Sequence, residues 1–435
     1  MKLFSTRNSE NVVSFREAVK NCVPEDGGLY VPATDENLRS WILYMDENTS
    51  FQSICGTLTS ALLKEELSPV ISERIAAPVF KFTPDIVPLS ENMSLLRLYH
   101  GESGSHKDYG LSFLASYLEH VLTMEDSNAL VLAATTGSLG AGIAKAFKGK
   151  KRIKAILMYP QNKVFGIPEE SLIENGGNIL PLGVSGSIAE CHELIRDIYK
   201  DRDFVRKNHL TLANTVNIGR LLPQAFFYMY AFTRLKKNVS GDIFYAQAAG
   251  NYGNLVAGLY AWRCSLPVSG FITESTSALT TNIGGECVFT DSMVPVKHRD
   301  ESDPSDPSNL ERLEQVFAAG SSLMKSLVFP QKVNVDKIPD VISEFYREKG
   351  LFIDSSTATA CLAARNILPD IVEDEGHIVL IQKDHPSREA EKLRLICGKA
   401  PEIPESLRFI YEQNKNITSI GCNSKELAEI IAKLS

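Results

Sequence analysis

Residues 99–110 read YHGESGSHKDYG, a loop of small and polar residues that runs directly into a helical pattern. Lys107 stands where this helix is predicted to begin, which is unusual because a cation is disfavoured at the positive end of a helix dipole. A lysine shielded from water at this place would have a lowered pKa and could form a Schiff base. The alternative is a solvated surface lysine. One face of the predicted helix is apolar, at Leu111, Leu114, Leu118 and Val121.

Two strand–glycine–helix units follow this stretch. Residues 129–134, ALVLAA, form a continuous apolar run typical of a strand buried on both faces, and a Gly-rich turn at 135–140 follows. Residues 242–247 predict a second such strand, with a Gly-rich turn at 248–254 and an apolar helix at 255–262. Strands that alternate with helices predict parallel sheets. Two separate units predict two α/β domains with a cleft between them.

Both Gly-rich turns are suited to bind a phosphate, because a helix that starts there presents free N–H groups and a positive dipole end. Neither turn matches G-x-G-x-x-G or the P-loop, which disfavours a nicotinamide or ATP site. Glycine also permits tight packing of a strand on a helix, and this alternative stays open for each turn taken alone.

Composition narrows the class of protein. The 435 residues are 44% hydrophobic and 23% charged, enough for two or three domains, and the net charge of −8 argues against nucleic acid or an anionic membrane as partners. A local basic pocket for a small anion is compatible with that charge.

No apolar run has the length of a membrane span, and residues 1–7 lack a signal-peptide core, so we expect a cytoplasmic protein. The eight cysteines form no zinc-type cluster, so no metal site is expected.

Four regions are predicted along the chain. They are a mostly helical N-terminal region at residues 1–85 with a short strand at 27–32, α/β domains at 86–240 and 241–400, and a C-terminal helical tail at 401–435. Residues 299–308, RDESDPSDPS, predict a mobile loop.

A set of short motifs occurs in order over nearly the whole chain. They stand at residues 1–3, 13–19, 27–32, 100–101, 107–110, 159–160, 163–164, 176–179, 213–224, 250–254, 306–309 and 401–407. Together they resemble threonine synthase, a fold-type-II pyridoxal phosphate enzyme of the tryptophan synthase β superfamily. The family has F-K-D-F-G where residues 106–110 read HKDYG, and G-N-F-G-N where residues 250–254 read GNYGN.

The resemblance implies a fold and a cofactor. The fold is a tryptophan synthase β-like (fold type II) α/β fold with two parallel-sheet domains, and the cofactor is pyridoxal 5'-phosphate (PLP). Lys107 would hold the cofactor covalently and then act as a base on the substrate. The cofactor phosphate would lie in the turn of Gly250, Asn251, Tyr252, Gly253 and Asn254. In the family, phosphate leaves from O-phosphohomoserine and water adds, with the cofactor ring as electron sink.

The resemblance also implies a set of substrate-binding residues. They are Thr135, Thr136, Gly137, Ser138, Lys163, Asn217, Arg220 and His106. The Gly-rich turn would hold the substrate carboxylate and the ring hydroxyl, so Ser138 also counts as cofactor-binding. Lys163 and Arg220 would bind the phosphate of the substrate. The expected partner is a small amino-acid substrate with an anionic group, bound by a monomer or homodimer.

Departures from the family motifs are concentrated where ring and substrate would be touched. The family's T-S-G-D-T-G is here TTGSLG, without the aspartate, and its G-T-A-H-P is QKDHP at 382–386. In the second motif we expect Asp384 to turn inward as a cofactor-binding residue at the pyridine nitrogen and Lys383 to point away. The alternative is that both face solvent and that Ser356 or Thr357 fills the position.

We interpret these departures as favouring a diverged PLP-dependent lyase that acts on a γ-substituted L-amino acid bearing a phosphate or phosphonate. The first alternative is a genuine threonine synthase, which converts O-phospho-L-homoserine and water to L-threonine and phosphate. The second is a non-catalytic phosphate-ligand sensor on the same fold. A degenerate, inactive regulator is disfavoured because Lys107 and the 250–254 turn are retained.

Overall fold

The computed structural model describes residues 1–290, 294–318, 321–415 and 417–435. Its strands are β1 (Lys2–Ser5), β2 (Asn8–Ser14), β3 (Tyr30–Pro32), β4 (Asp85–Ser90), β5 (Met93–Arg97), β6 (Ala129–Ala134), β7 (Ile153–Pro160), β8 (Ile179–Val184), β9 (Leu210–Leu212), β10 (Ile243–Ala246), β11 (Gly270–Glu274), β12 (Leu279–Thr281), β13 (Cys287–Phe289), β14 (Val328–Gln331), β15 (His377–Gln382) and β16 (Thr418–Ile420). Its helices are α1 (Phe15–Asn21), α2 (Arg39–Tyr44), α3 (Phe51–Leu62), α4 (Pro69–Ala76), α5 (Lys107–Met124), α6 (Ser138–Phe147), α7 (Ile188–Lys200), α8 (Arg202–Lys207), α9 (Ile218–Leu221), α10 (Ala225–Leu235), α11 (Gly253–Arg263), α12 (Leu310–Val316), α13 (Ser321–Leu327), α14 (Ile338–Lys349), α15 (Ser355–Glu373), α16 (Ala390–Cys397) and α17 (Ser424–Leu434). No helix in these residues is long and apolar enough to span a membrane.

The first large sheet has the strand order β16-β8-β7-β6-β9, and all its pairs are parallel. Every residue of β6 is buried, as its continuous apolar run predicts. Successive side chains of a strand point to opposite faces. Val131 and Ala133 therefore join one core with α5 and α6, while Leu130 and Leu132 join another with α7 and α17.

The second large sheet has the order β14-β11-β10-β15-β5-β4, and only the pair of β4 with β5 is antiparallel. Its central strand β15 is fully buried. Ile378 and Leu380 pack toward α14 and α15, while Val379 and Ile381 belong to the same core as Val131 of the first sheet. One hydrophobic core therefore joins the two sheets.

The N-terminal region has the predicted helices, α1 to α4, and in addition a small sheet that the sequence did not predict. The strands β1, β2 and β3 form a small antiparallel sheet beside α1 to α4. The short strand predicted at 27–32 is present as β3. The hairpin of β1 and β2 was missed because β2 is largely exposed and has no apolar alternation that would mark it as a strand.

Two of the predicted domain boundaries differ from the strand pairing. The strands β4 and β5 lie in residues assigned to the first domain, yet β5 pairs with β15 in the second sheet. The predicted C-terminal tail contributes β16 to the edge of the first sheet, and α17 packs in the core of that sheet. Both differences have one cause: pairing joins strands that are distant in the chain, which local periodicity does not report.

Candidate functional site

A cavity of about 230 Å³ lies beside the turns that follow β6 and β10. Ligands of α/β sheets bind outside the carboxyl ends of the strands, where these turns stand. The lining residues are Lys107, Ala134, Thr135, Thr136, Ser138, Leu139, Ile188, His192, Asn214, Thr215, Arg220, Asn251, Ser305, Asp306 and Pro307. Among the predicted site residues, the cavity brings together Lys107, Thr135, Thr136, Ser138, Arg220 and Asn251.

Lys107 is the first residue of α5 and reaches the cavity from there. Burial lowers the pKa of its amine; the Asp384 carboxylate opposes this effect, and the cations Arg388, Arg220 and Lys383 add to it. A lowered pKa increases the unprotonated fraction, which is the nucleophilic form of an amine. Its place in the cavity wall argues against the alternative of a solvated surface lysine.

The β6–α6 turn is held by Thr135, whose hydroxyl oxygen accepts hydrogen bonds from the backbone N–H groups of Gly137 and Gly140, each at 3.0 Å. Gly137 has φ 148°, a conformation that glycine adopts without strain. Helix α6 begins at the next residue, Ser138, which lines the cavity together with the exposed Thr136. The first N–H groups of a helix have no intrahelical acceptor, so this turn suits a carboxylate.

Arg220 places a buried positive charge at the cavity. Its side chain is 2% exposed, and among the described residues its Nε and Nη1 have no hydrogen-bond partner. Burial lowers the pKa of Arg220 to about 10, and the Asp108 carboxylate partly opposes that effect. The guanidinium is confined by α5, since a Cβ added to Gly110 would lie 2.5 Å from Nη1. A buried cation without a partner is unfavourable, so the arrangement indicates a site for an anion.

The β10–α11 turn contains the predicted phosphate loop. Gly250 and Tyr252 both have left-handed backbone conformations, with φ 51° and φ 62°. They reverse the chain so that α11 begins at Gly253. A helix N-terminus that follows such a turn presents N–H groups to a phosphate.

Side-chain amides tie this turn to its surroundings. Asn251 Nδ2 donates to Thr215 Oγ1 at 3.1 Å and to the carbonyl oxygen of Pro307 at 3.2 Å, and both acceptor residues line the cavity. Asn254 Nδ2 donates to Gln224 Oε1 at 3.0 Å in the buried interior. Asn251 therefore connects the β10–α11 turn to Thr215 and to Pro307 at the cavity. Asn254 instead supports the turn from the buried interior.

Four predicted substrate-binding residues do not line the cavity: Gly137 in the β6–α6 turn, His106 beside Lys107, Lys163 and Asn217. Lys163 is exposed in the loop after β7. Asn217 is fully buried: its Nδ2 donates to the carbonyl oxygens of Val19 at 2.9 Å and Leu212 at 3.1 Å, and its Oδ1 accepts the N–H of Gly219 at 3.0 Å. These bonds occupy the amide and cap α9, so the position of Asn217 is structural.

Lys383 is half-buried and directed to the β10–α11 turn, so the alternative that it faces solvent is wrong, whereas its expected direction away from the pyridine nitrogen stays a prediction. Its Nζ donates to the carbonyl oxygen of Ala248 at 3.2 Å, and it lies 3.9 Å from the position that a Cβ on Gly250 would occupy. Thr357 and Ser356 both donate hydrogen bonds to the carboxylate of Asp354 at the start of α15. Their hydroxyls thus take part in the helix cap.

Asp384 lies next to the predicted cofactor lysine. Burial opposes its ionisation, but Lys107, His106, a hydrogen bond from Ser105 and Arg388 hold the pKa of this carboxyl well below its ordinary value. Burial lowers the pKa of His106 far below its ordinary range, and Lys107 adds to this effect, so the imidazole is neutral at pH 7. The predicted inward orientation of Asp384 agrees with this environment. Its contact with a pyridine nitrogen stays a prediction.

His192 is a cavity residue that the sequence did not reveal. Ser187 and Glu190 form a capping box that starts α7. Ile188 and His192 are four residues apart in this helix and therefore lie on the same face, which meets the cavity. The Nδ1 of His192 is buried and, within the described residues, has no hydrogen-bond partner. The capping box was readable from the sequence, but the face of α7 that meets the cavity was not.

The segment predicted to be a mobile loop, residues 299–308, forms part of the cavity wall. The side chain of Asn214 donates to the carbonyl oxygens of Pro304 at 2.8 Å and Ser305 at 3.0 Å. Asp303 forms an ion pair with Arg196 at 2.9 Å. These bonds hold the segment across the cavity in spite of its polar composition.

Comparisons with known proteins agree with this architecture. Residues 2–74 match the family model described as threonine synthase N terminus. Threonine synthase of Buchnera aphidicola subsp. Baizongia pistaciae is 31% identical over 64% of this chain and 65% of its own length. Threonine synthase of Serratia marcescens is 27% identical over 94% of this chain and 93% of its own length. The structure superposes on PLP-bound threonine synthase from Brucella melitensis with a TM-score of 0.81 and 21% identity, covering 100% of this chain and 99% of that one.

The two sheets, parallel except for β4, have the α/β fold of type II, as the resemblance implied, with the cavity at their carboxyl ends. The chain is an enzyme of this class that is similar to threonine synthases over nearly its whole length, since the Serratia marcescens relative aligns with 94% of it. The predicted fold class and the predicted family are both confirmed.

Proposed function

We propose that this protein is a PLP-dependent lyase that catalyses the threonine synthase reaction, in which O-phospho-L-homoserine and water become L-threonine and phosphate. The observation that carries the proposal is that one cavity contains both Lys107, an amine with a lowered pKa, and Arg220, a buried guanidinium with unpaired nitrogens. The named relatives are threonine synthases, which favours this reaction over the diverged lyase expected from the sequence.

The residues of the cavity fit PLP. Lys107 is placed to bind an aldehyde covalently, and the β10–α11 turn with its left-handed Gly250 is suited to the cofactor phosphate. The PLP in the Brucella melitensis enzyme supports the same cofactor for this chain. When bound, PLP supplies an electron sink for carbanions on the substrate.

The protein's own side chains then have distinct tasks. Lys107 Nζ, whose lowered pKa favours the free amine, is suited to take a proton from Cα of the substrate. The N-terminus of α6 beyond Thr135 binds the substrate carboxylate. Arg220 binds the substrate phosphate, which becomes the leaving group. Residues 305–307 cover the cavity and restrict the access of water.

A diverged substrate is the second candidate. It is favoured by Lys383 and Asp384, two charged side chains near Lys107, and by Ser138 at a position where the family motif has aspartate. These residues leave the anion site at Arg220 in place. The substrate of this candidate is therefore a γ-phosphono or another γ-substituted amino acid.

The test begins with the purified protein and PLP. Borohydride reduction and peptide mapping should place the pyridoxyl group on Lys107, and Lys107→Ala should abolish the label, whereas Lys349→Ala, at an exposed lysine, should retain it. The protein is then assayed for release of phosphate and threonine from O-phospho-L-homoserine. Turnover of a phosphonate analogue alone would favour the diverged lyase. PLP uptake without turnover of any γ-substituted amino acid would contradict both enzymatic readings and favour the sensor.

A further inference from the structure

We propose that Lys383 is a ligand of the cofactor phosphate and reaches it from the strand beside the phosphate-binding turn. This inference rests on the proposed function, because it requires PLP in the cavity. It gives Lys383 a definite place, at the phosphate, where the sequence predicts only that this side chain points away from the pyridine nitrogen.

The topology brings Lys383 to the turn. Strands β10 and β15 are parallel neighbours, with Ala246 opposite Leu380. The residues that follow the two strands therefore emerge side by side, and these are the 247–252 turn and Lys383. Because the strands are adjacent, a long side chain on one of them can cross to the turn that follows the other.

The observed contacts agree with this placement. Lys383 Nζ donates to the carbonyl oxygen of Ala248 at 3.2 Å and lies 3.9 Å from the position of a Cβ on Gly250. An ammonium group has three donors, and the bond to Ala248 uses one of them. The remaining donors are available at the side of Gly250, where the N–H groups of the turn would receive the phosphate.

The charge of Lys383 favours an anion at the turn. Within the described residues, no carboxylate lies within 4.0 Å of Lys383 Nζ, so this half-buried cation has no ion-pair partner. The Glu274 carboxylate, which also faces the turn, accepts the N–H of Ala249 at 2.9 Å and the hydroxyl of Thr273 at 3.2 Å. A phosphate at the turn would supply the negative charge that Lys383 lacks.

The experiment measures whether the phosphate group and Lys383 interact. The protein is freed of cofactor and titrated with PLP and, separately, with pyridoxal, which lacks the phosphate, and the dissociation constants are read from absorbance. Lys383→Met should weaken PLP binding at least about tenfold and leave pyridoxal binding unchanged, because it removes one charge-assisted hydrogen bond to the phosphate. Lys383→Arg should restore part of the difference, and Lys349→Met, at an exposed lysine, should behave like the wild type.

Each other outcome rejects the inference. Equal weakening of PLP and pyridoxal would show that Lys383 acts on the ring or on the fold, and unchanged binding of both would show that it acts on neither. Lys383→Gln gives the same comparison if the methionine variant does not fold. A wild-type protein that fails to bind PLP at Lys107 would instead overturn the proposed function, so the two failures are distinguishable.

Discussion

Replacement of Arg220 by methionine should make the cofactor-free protein more stable and the enzyme much less active. Methionine is also long and unbranched, but it has no charge. Arg220 is 2% exposed, and its Nε and Nη1 have no hydrogen-bond partner among the described residues. The wild-type side chain is therefore a buried cation whose donors are free to bind an anion. Replacing a buried charge with an apolar side chain of similar size is often stabilising.

The size of the gain follows from the pKa of the guanidinium. Its fall from the ordinary 12.5 to about 10 corresponds to roughly 3 kcal/mol of unfavourable free energy for the charged form. A base whose pKa is lower in the folded state destabilises the fold at every pH below the folded value. The penalty is therefore fully present at pH 7 and declines only above about pH 10. This figure already includes the opposing attraction to Asp108, and imperfect packing of methionine subtracts from the gain, so we expect about 1–3 kcal/mol.

The cost to catalysis has the opposite sign. Hydrogen bonds to charged groups contribute about 1.5–3 kcal/mol each, so loss of the bonds from Nε and Nη1 to a substrate phosphate should lower kcat/KM about 10²- to 10⁴-fold. The visible spectrum of bound PLP should not change, because the proposed cofactor contacts are at Lys107 and the β10–α11 turn. If Arg220 served only the fold, the Arg220→Met variant would instead be less stable than the wild type.

The assay combines denaturant unfolding of the cofactor-free protein with steady-state kinetics of the PLP-loaded enzyme. Inorganic phosphate, the product of the proposed reaction, should stabilise the PLP-loaded wild type against heat and have no such effect on Arg220→Met. The control is Arg394→Met, because the side chain of Arg394 is 54% exposed and pairs with Glu391. A less stable cofactor-free variant, or one with unchanged kcat/KM, would refute the reasoning.

Three further predictions concern the scaffold and the charge of the site. Gly110→Ala should destabilise the protein by several kcal/mol in denaturant unfolding, since the added Cβ would lie 2.0 Å from a carbonyl oxygen of α9. The matched control is Gly56→Ala in α3, where the added Cβ would have no atom within 4 Å. This variant should be more stable than the wild type by about 0.5–1 kcal/mol. Asn217→Ala should lower the unfolding free energy by about 2–4 kcal/mol, because it leaves buried carbonyl groups unpaired, and a raised KM at full stability would contradict its structural place. Asp384→Asn should lower the pKa of Lys107 further, since the Asp384 carboxylate is the charge that raises it. The pH profile for acylation of Lys107 in the cofactor-free protein should therefore move to lower pH. An unchanged profile would show that Asp384 does not act on the pKa of Lys107.

Local sequence patterns were sufficient for several elements of the fold. The apolar run at 129–134 is β6 with every residue buried, and the strand predicted at 242–247 is β10 at Ile243–Ala246. Helix α5 begins at Lys107 with the predicted apolar face buried. These features depend on burial of residues adjacent in the chain, and periodicity reports such burial directly. The membership of β4, β5 and β16 in their sheets depends on distant strands, and periodicity contains no information on it.

The candidate site divides in the same way. The sequence by itself determined the family, the fold class, the cofactor lysine as a candidate and the two Gly-rich turns, because residue type and order identify these features. Only the tertiary structure decided that Arg220 is buried without a partner, that Asn217 is occupied by backbone carbonyls, and that Lys383 reaches the β10–α11 turn. The direction of a side chain and its charge environment are set by segments that meet only in the folded protein, and Coulomb interactions and desolvation depend on that three-dimensional proximity.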